Sequence, residues 1–187
     1  MVEMLLSLDE HLTQTVGIYA QPCTLWQRIV KAACMCLELS GHGVLWFTIT
    51  FILLVLYACT REDLYLIYGA NMLFLLLVDI VVVAPIKLVF KRPRPVVNMG
   101  DIPLSVSSVD AYAFPSGHAS RCVALAAYFC YMPPFTLLTH LWYIWALLVS
   151  LSRVLLGRHH ISDVAAGMLA GLFIFDLVRR SGFLLGL

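Results

Sequence analysis

The chain has 187 residues, 61% of them hydrophobic and only 12% charged, with a mean hydropathy of +0.91. A soluble domain carries roughly 25% charge, so this composition describes a membrane protein and leaves no length for a separate soluble catalytic module. A formal net charge of +1 excludes a global field for nucleic acid, and six cysteines without a CxxC pair read as reduced thiols in apolar stretches.

The N-terminal MVEMLLSLDEHL has no basic n-region and acids break its apolar stretch, which argues against a cleaved signal peptide. From Thr24 to Leu39, TLWQRIVKAACMCLEL mixes Trp26, Ile29, Val30, Ala33 and Leu37 with Arg28, Lys31 and Glu38, the pattern of an amphipathic helix at the interface or of a sixth span. A spanning helix needs roughly 20 mostly apolar residues. Gly43 to Thr60, which is uncharged, and Leu64 to Phe90, interrupted by Asp79 and Lys87, give spans one and two. Cys122 to Ser152 is free of formal charge, but Pro133 and Pro134 remove backbone donors near its middle, so it reads as a tight hairpin of two spans. Ser162 to Val178 gives the fifth, closed by Arg179 and Arg180, with Asp176 as their partner. The expected fold is all-α: a polytopic membrane helix bundle of five transmembrane helices plus an N-terminal amphipathic or sixth helix. It forms one integral membrane domain over 1–187, with an interfacial region at 1–42 and the bundle that carries the chemistry at 43–180.

With five spans, the loops after spans two and four lie on the same side as the N-terminal region. Those loops hold most of the polar chemistry, and the longest irregular stretch, Lys91 to Pro115, has the length of a functional loop.

Three clusters stand out. In IKLVFKRPRP, Lys87 and Arg94 are two helical turns apart with Lys91 beside them, and Lys87 lies inside the apolar run, where an unpaired charge costs about 2.5 to 3.5 kcal/mol near a helix centre. A snorkelling membrane flank explains such a cluster in isolation, but the depth of Lys87 calls for an anionic partner. In FPSGHAS, Ser116 is a suitable N-cap, and a helix N-terminus at Gly117 and His118 exposes N–H groups of the kind that bind phosphate oxygens. A near-copy, Ser40-Gly41-His42-Gly43, opens span one without the proline or the basic partners and reads as capping and tight packing. In SRVLLGRHHISD, Arg153 closes span four, Gly157 permits a turn, and Asp163 stands one helical turn after His159, where it can accept a ring N–H. His160 reads as a spectator. Cations, a backbone anion nest and two histidines, one with a carboxylate, are what phosphoryl transfer without a metal requires: one ring attacks and the other protonates the leaving group. There is no P-loop and no GxSxG, and the carboxylates are too scattered for a metal cage.

Lys87-x6-Arg94-Pro95, Pro115-Ser116-Gly117-His118 and Ser152-Arg153-x5-His159-x3-Asp163 resemble, in order, the three signatures of the type 2 phosphatidic acid phosphatase superfamily. More narrowly, SLDEHL, ELSGHG, KRPRP, VDAYAFPSGHASR and LSRVLLGRHHISDV look like its polyisoprenoid diphosphate (presqualene diphosphate) phosphatase branch. The resemblance implies a phosphohistidine formed at His159, oriented by Asp163, with His118 as general acid and later the base for water. It implies phosphate binding by Lys87, Arg94, Ser116, Gly117 and Arg153, and neither metal nor cofactor. The family usually has a six-helix core, one more than the spans counted here.

A site at the interface of an apolar bundle suits a lipid whose tail stays in the membrane, so the expected substrate is a lipid phosphate or diphosphate, with no nucleic acid and no obligate protein partner. Lys91, Arg92 and Arg158 exceed the family's minimum and are candidates for the second phosphate of an isoprenoid diphosphate. Phosphatidate, lysophosphatidate or a sphingoid-base phosphate is the alternative substrate. A catalytically silent scaffold of the same fold and a vanadate-dependent haloperoxidase are the readings of other classes. The branch suggests the endoplasmic reticulum and nuclear envelope, although the positive-inside pattern puts the basic loops on the cytoplasmic face.

Overall fold

The computed structural model describes residues 2–17, 24–95 and 111–186. Those residues form seven α-helices and no strands: α1 (Val2–Val16), α2 (Leu25–Ser40), α3 (Gly43–Thr60), α4 (Asp63–Phe90), α5 (Gly117–Tyr131), α6 (Thr139–Leu155) and α7 (Ile161–Arg180), with a 3-10 turn at Phe135–Leu138 before α6. Cys23 and the loop around Val97 lie outside the described residues.

Three helices, α3, α4 and α7, are long and apolar enough to cross a membrane, and α6 is a shorter apolar helix. The expected hairpin is present but begins earlier than its charge-free run. Ser116 caps α5 so that the helix starts at Gly117, and Arg121 enters the bundle with its charge balanced by Asp79. The two prolines end α5 at Tyr131 and separate it from α6 by the short turn. At 1.5 Å per residue, the 15-residue α5 is only about 22 Å long, shorter than the hydrocarbon core it was expected to cross.

α5 is the hub, packed against α4, α6 and α7, with every residue from Cys122 to Phe129 buried. Its fit with α7 depends on two glycines. A Cβ at Gly167 would stand 2.5 Å from the Ser116 carbonyl oxygen, and one at Gly171 would stand 2.3 Å from that of Ser120, so the two backbones approach as only a small-residue seam allows. On α5's other side, Phe129 stacks on Trp142 with centroids 4.4 Å apart, and Trp46 and Trp145 meet edge to face. Both indoles are tied to the end of α2: Trp46 donates to the Ser40 carbonyl (2.9 Å) and Trp145 to its hydroxyl (3.0 Å).

Asp79 in α4 accepts a hydrogen bond from the Ser120 hydroxyl and lies 3.2 Å from the Arg121 guanidinium, so it is a buried link between helices. Asn71, also buried in α4, holds the C-terminal segment by two bonds, accepting from the Leu185 N–H (2.8 Å) and donating to its carbonyl (3.1 Å). Asp176 pairs with Arg179 and Arg180 as expected, and the five described cysteines are free.

The N-terminal region holds two helices where one was anticipated. α2 is the amphipathic helix read from Thr24 onward, opened by a reciprocal Thr24–Gln27 capping box and packed against α6. α1 is new. Its Asp9, Glu10 and Thr13 cross the molecule to the segment that joins α6 to α7.

Candidate active site

The site forms where the C-terminal end of α4, the segment before α5 and the α6–α7 loop meet. Residues 112 and 113 tie these elements together. Lys87 is almost fully buried, and its ammonium donates to the Tyr112 carbonyl at 2.7 Å. The Ala113 N–H donates to the Arg92 carbonyl (2.8 Å), and the Ala113 carbonyl accepts from Nδ1 of His159 (2.8 Å). A carbonyl only accepts, so Nδ1 carries the proton and the lone pair of His159 resides on Nε2. Burial, followed by the positive charges of Arg94, Arg153 and Lys87, pushes the His159 ring well below the ordinary histidine value and keeps it neutral. A neutral ring with a free Nε2 lone pair is a nucleophile.

This geometry differs from the expected His159–Asp163 pair. Nδ1 of His159 lies 4.0 Å from Asp163, beyond hydrogen-bond reach. The fully buried Asp163 carboxylate is committed elsewhere: Oδ2 accepts the His160 backbone N–H (2.8 Å) and meets His160 Nδ1 (2.8 Å), while Oδ1 accepts from Arg92 (2.7 Å). As the third residue of α7, Asp163 folds back on the residue that caps the helix, and this local preference wins over the ring one turn away. His160, read as a spectator, is therefore the aspartate's direct partner. Its other nitrogen lies 2.5 Å from Glu10.

Across from His159, the Ser116 hydroxyl caps α5 by accepting from Ala119 (3.5 Å), and its backbone N–H donates to the Asp163 carbonyl (3.0 Å). Ser116 thus locks α5 to α7, and the helix N–H groups without an intrahelical acceptor are those of Gly117 and His118. The His118 Nε2 is buried and has no hydrogen-bond partner among the described residues. Its ring stands edge-on to His42, centroids 5.6 Å apart. His42 does cap α3 by accepting from Val44 (3.3 Å), and a Cβ on Gly41 would collide with Cys122 and Val149, as capping and tight packing require. The contact with His118 adds a second role that the motif's missing partners concealed.

Arg153 and Arg158 are buried side by side against Glu38 of α2, Arg153 in a close ion pair and Arg158 at 3.6 Å. Arg153 Nε and Arg158 Nη1 have no hydrogen-bond partner among the described residues. Arg94 donates to the Arg158 carbonyl (3.2 Å), which fixes it against the loop that carries His159. The three cations expected at a second phosphate do not converge. Arg92 is bound by Asp9 (2.8 Å), Asp163 and Ser162, Lys91 stands exposed at the end of α4, and only Arg158 sits among the buried donors. Sequence reasoning missed Glu38, Glu10, Asp9 and the Ala113 carbonyl. The first was visible only as a charge on an amphipathic helix, and the last had no signal in the sequence.

Long apolar helices surround buried cations and two histidines, which defines a membrane helix bundle with a polar site at one end. Residues 68–184 match the PAP2 superfamily, and the chain belongs to it. It is similar to a probable lipid phosphate phosphatase beta of Arabidopsis thaliana, 36% identical over 127 residues that cover 52% of this chain and 57% of that protein. The chain thus spans little more than half the length of that relative. Its fold is that of the PAP2-type phosphatidylglycerolphosphate phosphatase from Bacillus subtilis (TM-score 0.68, 22% identity, 95% of this chain and 86% of that one) and of LpxE from Aquifex aeolicus (TM-score 0.65, 19%, 91% and 93%). It is an integral membrane protein of the fold these two structures share.

Proposed function

We propose that the protein is a lipid phosphate phosphohydrolase that works through a phosphohistidine, and that its preferred substrates are polyisoprenoid diphosphates of the farnesyl, geranylgeranyl or presqualene type. One observation carries the phosphatase reading: near a neutral His159, the buried nitrogens His118 Nε2, Arg153 Nε and Arg158 Nη1 have no hydrogen-bond partner among the described residues. A buried donor without a partner costs about 1 to 3 kcal/mol. A phosphoryl group, with its several acceptor oxygens, offers such donors the partners they lack.

In this mechanism Nε2 of His159 attacks the terminal phosphorus, the N–P bond forms as the P–O bond to the leaving group breaks (the lipid monophosphate from a diphosphate, the lipid alcohol from a monophosphate), and His118 gives its proton to the departing oxygen. His118 then takes a proton from water, the resulting oxygen attacks the phosphohistidine, and the N–P bond breaks to release phosphate. Arg94, Arg153 and the Gly117 and His118 amides neutralise charge on the equatorial oxygens. Lys87 contributes its field and holds Tyr112. Asp163 acts on the loop, through His160 and the α7 terminus, rather than on the His159 ring directly.

Similarity to the probable lipid phosphate phosphatase beta of Arabidopsis thaliana supports the lipid phosphate class. The diphosphate preference rests on the resemblance of SLDEHL, ELSGHG and LSRVLLGRHHISDV to the polyisoprenoid branch, and so does placement in the endoplasmic reticulum and nuclear envelope. Arg158, buried beside Arg153 with a donor to spare, is the one extra cation suited to a second phosphate. The test is phosphate release in detergent micelles containing EDTA, comparing farnesyl or presqualene diphosphate with phosphatidate. Faster turnover of the diphosphates supports the branch, phosphatidate preference moves the protein to glycerolipids, and no turnover of either lipid by folded protein refutes the phosphatase reading.

A further inference from the structure

α1 contributes little to the apolar core: Met4, Leu8, Leu12 and Val16 recur every fourth residue along one stripe, and all are exposed. Its opposite face carries Asp9, Glu10 and Thr13, and each of them reaches the start of α7. His160 and Asp163 close the start of α7 on each other, and the amides of Ile161 and Ser162, the first two of the helix, take acceptors from outside it. α1 provides them. The buried Thr13 hydroxyl accepts from Ile161 (3.3 Å) and Asp9 accepts from the Ser162 N–H (3.2 Å) and the Ser162 hydroxyl (2.5 Å). Asp9 also binds Arg92, the cation on Asp163. The carboxyl of Glu10, steadied by Gln14 (2.9 Å), meets Nε2 of His160, whose Nδ1 meets Asp163. An imidazole with an ionised carboxylate at each nitrogen donates from both, which is the bonding pattern of the imidazolium.

We propose that Glu10 is a positioning residue of the active site: through a charged His160 it holds Asp163, and thereby the loop that presents His159, so that α1 completes the catalytic constellation from the far end of the chain. This rests on the reading of His159 as the nucleophile. Two independent features converge on it, the external capping of α7 by Asp9 and Thr13 and the Glu10–His160–Asp163 relay, and neither involves a residue of the three family signatures on the α1 side.

The charged and titratable groups of this network are Glu10 and Asp9 from α1, Arg92 after α4, and His159, His160 and Asp163 around the start of α7. Burial works against the charged His160 ring and Arg92 repels it, but the bonds to Asp163 and Glu10 raise its pKa above the ordinary value. The relay is therefore intact below that raised pKa and is lost as pH rises through it. Removal of the Glu10 charge lowers the pKa, so the loss begins at a lower pH.

The experiment measures kcat, KM and the pH profile of wild type, Glu10→Gln and Glu10→Asp on one lipid diphosphate in micelles, with thermal melting to verify folding. Glu10→Gln is expected to lose about tenfold in kcat near pH 7, with KM within twofold, and its alkaline limb is expected to move down by about one pH unit. Glu10→Asp keeps the carboxylate and should retain the wild-type limb. If Glu10→Gln does not fold, a wild-type limb in Glu10→Asp supports the relay and a displaced one overturns it. Equal losses in both folded variants, or a Glu10→Gln profile that matches wild type, overturn the proposal while leaving an active wild type and the phosphatase reading untouched. An inactive wild type overturns both.

Discussion

Replacement of Gly167 by alanine tests whether the α5–α7 seam sets the geometry of the site. The added Cβ falls 2.5 Å from the Ser116 carbonyl oxygen and 3.1 Å from the Ala119 Cβ, whereas ordinary contact begins at 3.4 Å. Neither neighbour is the end of a flexible side chain, so α7 must move away from α5 by roughly 0.9 Å, an overpacking that costs about 1 to 3 kcal/mol. Ser116 is bonded through its N–H to the Asp163 carbonyl, and α7 carries Asp163 one turn from Gly167. The displacement therefore separates the His118 side of the cradle from the His159 side. A misplacement of about 1 Å costs on the order of a hundredfold in rate. The assay is kcat on a lipid diphosphate at saturating concentration, alongside thermal melting, for Gly167→Ala and Gly171→Ala. Gly171 makes an even closer approach, to Ser120, but one turn further from the site. Both variants should lose stability by a similar amount, and only Gly167→Ala should lose about two orders of magnitude in kcat. A folded Gly167→Ala with wild-type kcat would refute the link between the seam and the chemistry.

Gly117→Ala is the complementary perturbation, because a Cβ there meets only Val83 at 3.8 Å, an ordinary contact. Melting should be unchanged, and any fall in kcat/KM then reports crowding of the bound phosphate; a fully active variant would remove Gly117 from the cradle. The pH profile of kcat/KM reports the free enzyme. Since His159 is held well below its ordinary value, the ring stays neutral until pH falls through that lowered pKa, so the acid limb should lie below pH 6.5. An acid limb at or above that value contradicts a buried neutral nucleophile. Arg92→Gln should depress diphosphate and monophosphate turnover equally, because Arg92 is spent on Asp9 and Asp163, whereas Arg158→Gln should depress diphosphate turnover more. A selective loss of diphosphate turnover in Arg92→Gln would restore Arg92 to the substrate.

The parts of the fold and site that were legible in the sequence are the local ones. Apolar runs, charge-free in α3 and broken by isolated charges in α4 and α7, locate these helices, the two prolines locate the break between α5 and α6, and Ser116 and Gly157 announce a cap and a turn. The span boundaries slipped where a charge was balanced by a distant partner. α5 takes Arg121 into the bundle because Asp79, 42 positions earlier in sequence, is there to meet it. The choice among possible hydrogen-bond partners is hidden for the same reason. The spacing of His159 and Asp163 permits a hydrogen bond, but it cannot reveal that the Ala113 carbonyl offers the ring a better one, or that His160 and Arg92 claim the carboxylate first. α1 enters the sequence reading only through the family resemblance of SLDEHL, with no structural role. Its acids gain meaning from α7, some 150 residues away, and no periodicity within SLDEHL points there. His42 is the mirror case, a motif discounted for lacking partners whose ring the fold sets against His118.

The central claim, a covalent phosphate on His159, is tested most directly by rapid alkaline quench of enzyme turning over a lipid diphosphate labelled with 32P at its terminal phosphate, followed by peptide mapping. An acid-labile, base-stable label is expected on the peptide that contains His159, and none in folded His159→Ala, whose turnover should fall about a thousandfold or more. Label at another residue, or a His159→Ala enzyme that retains turnover, would contradict it.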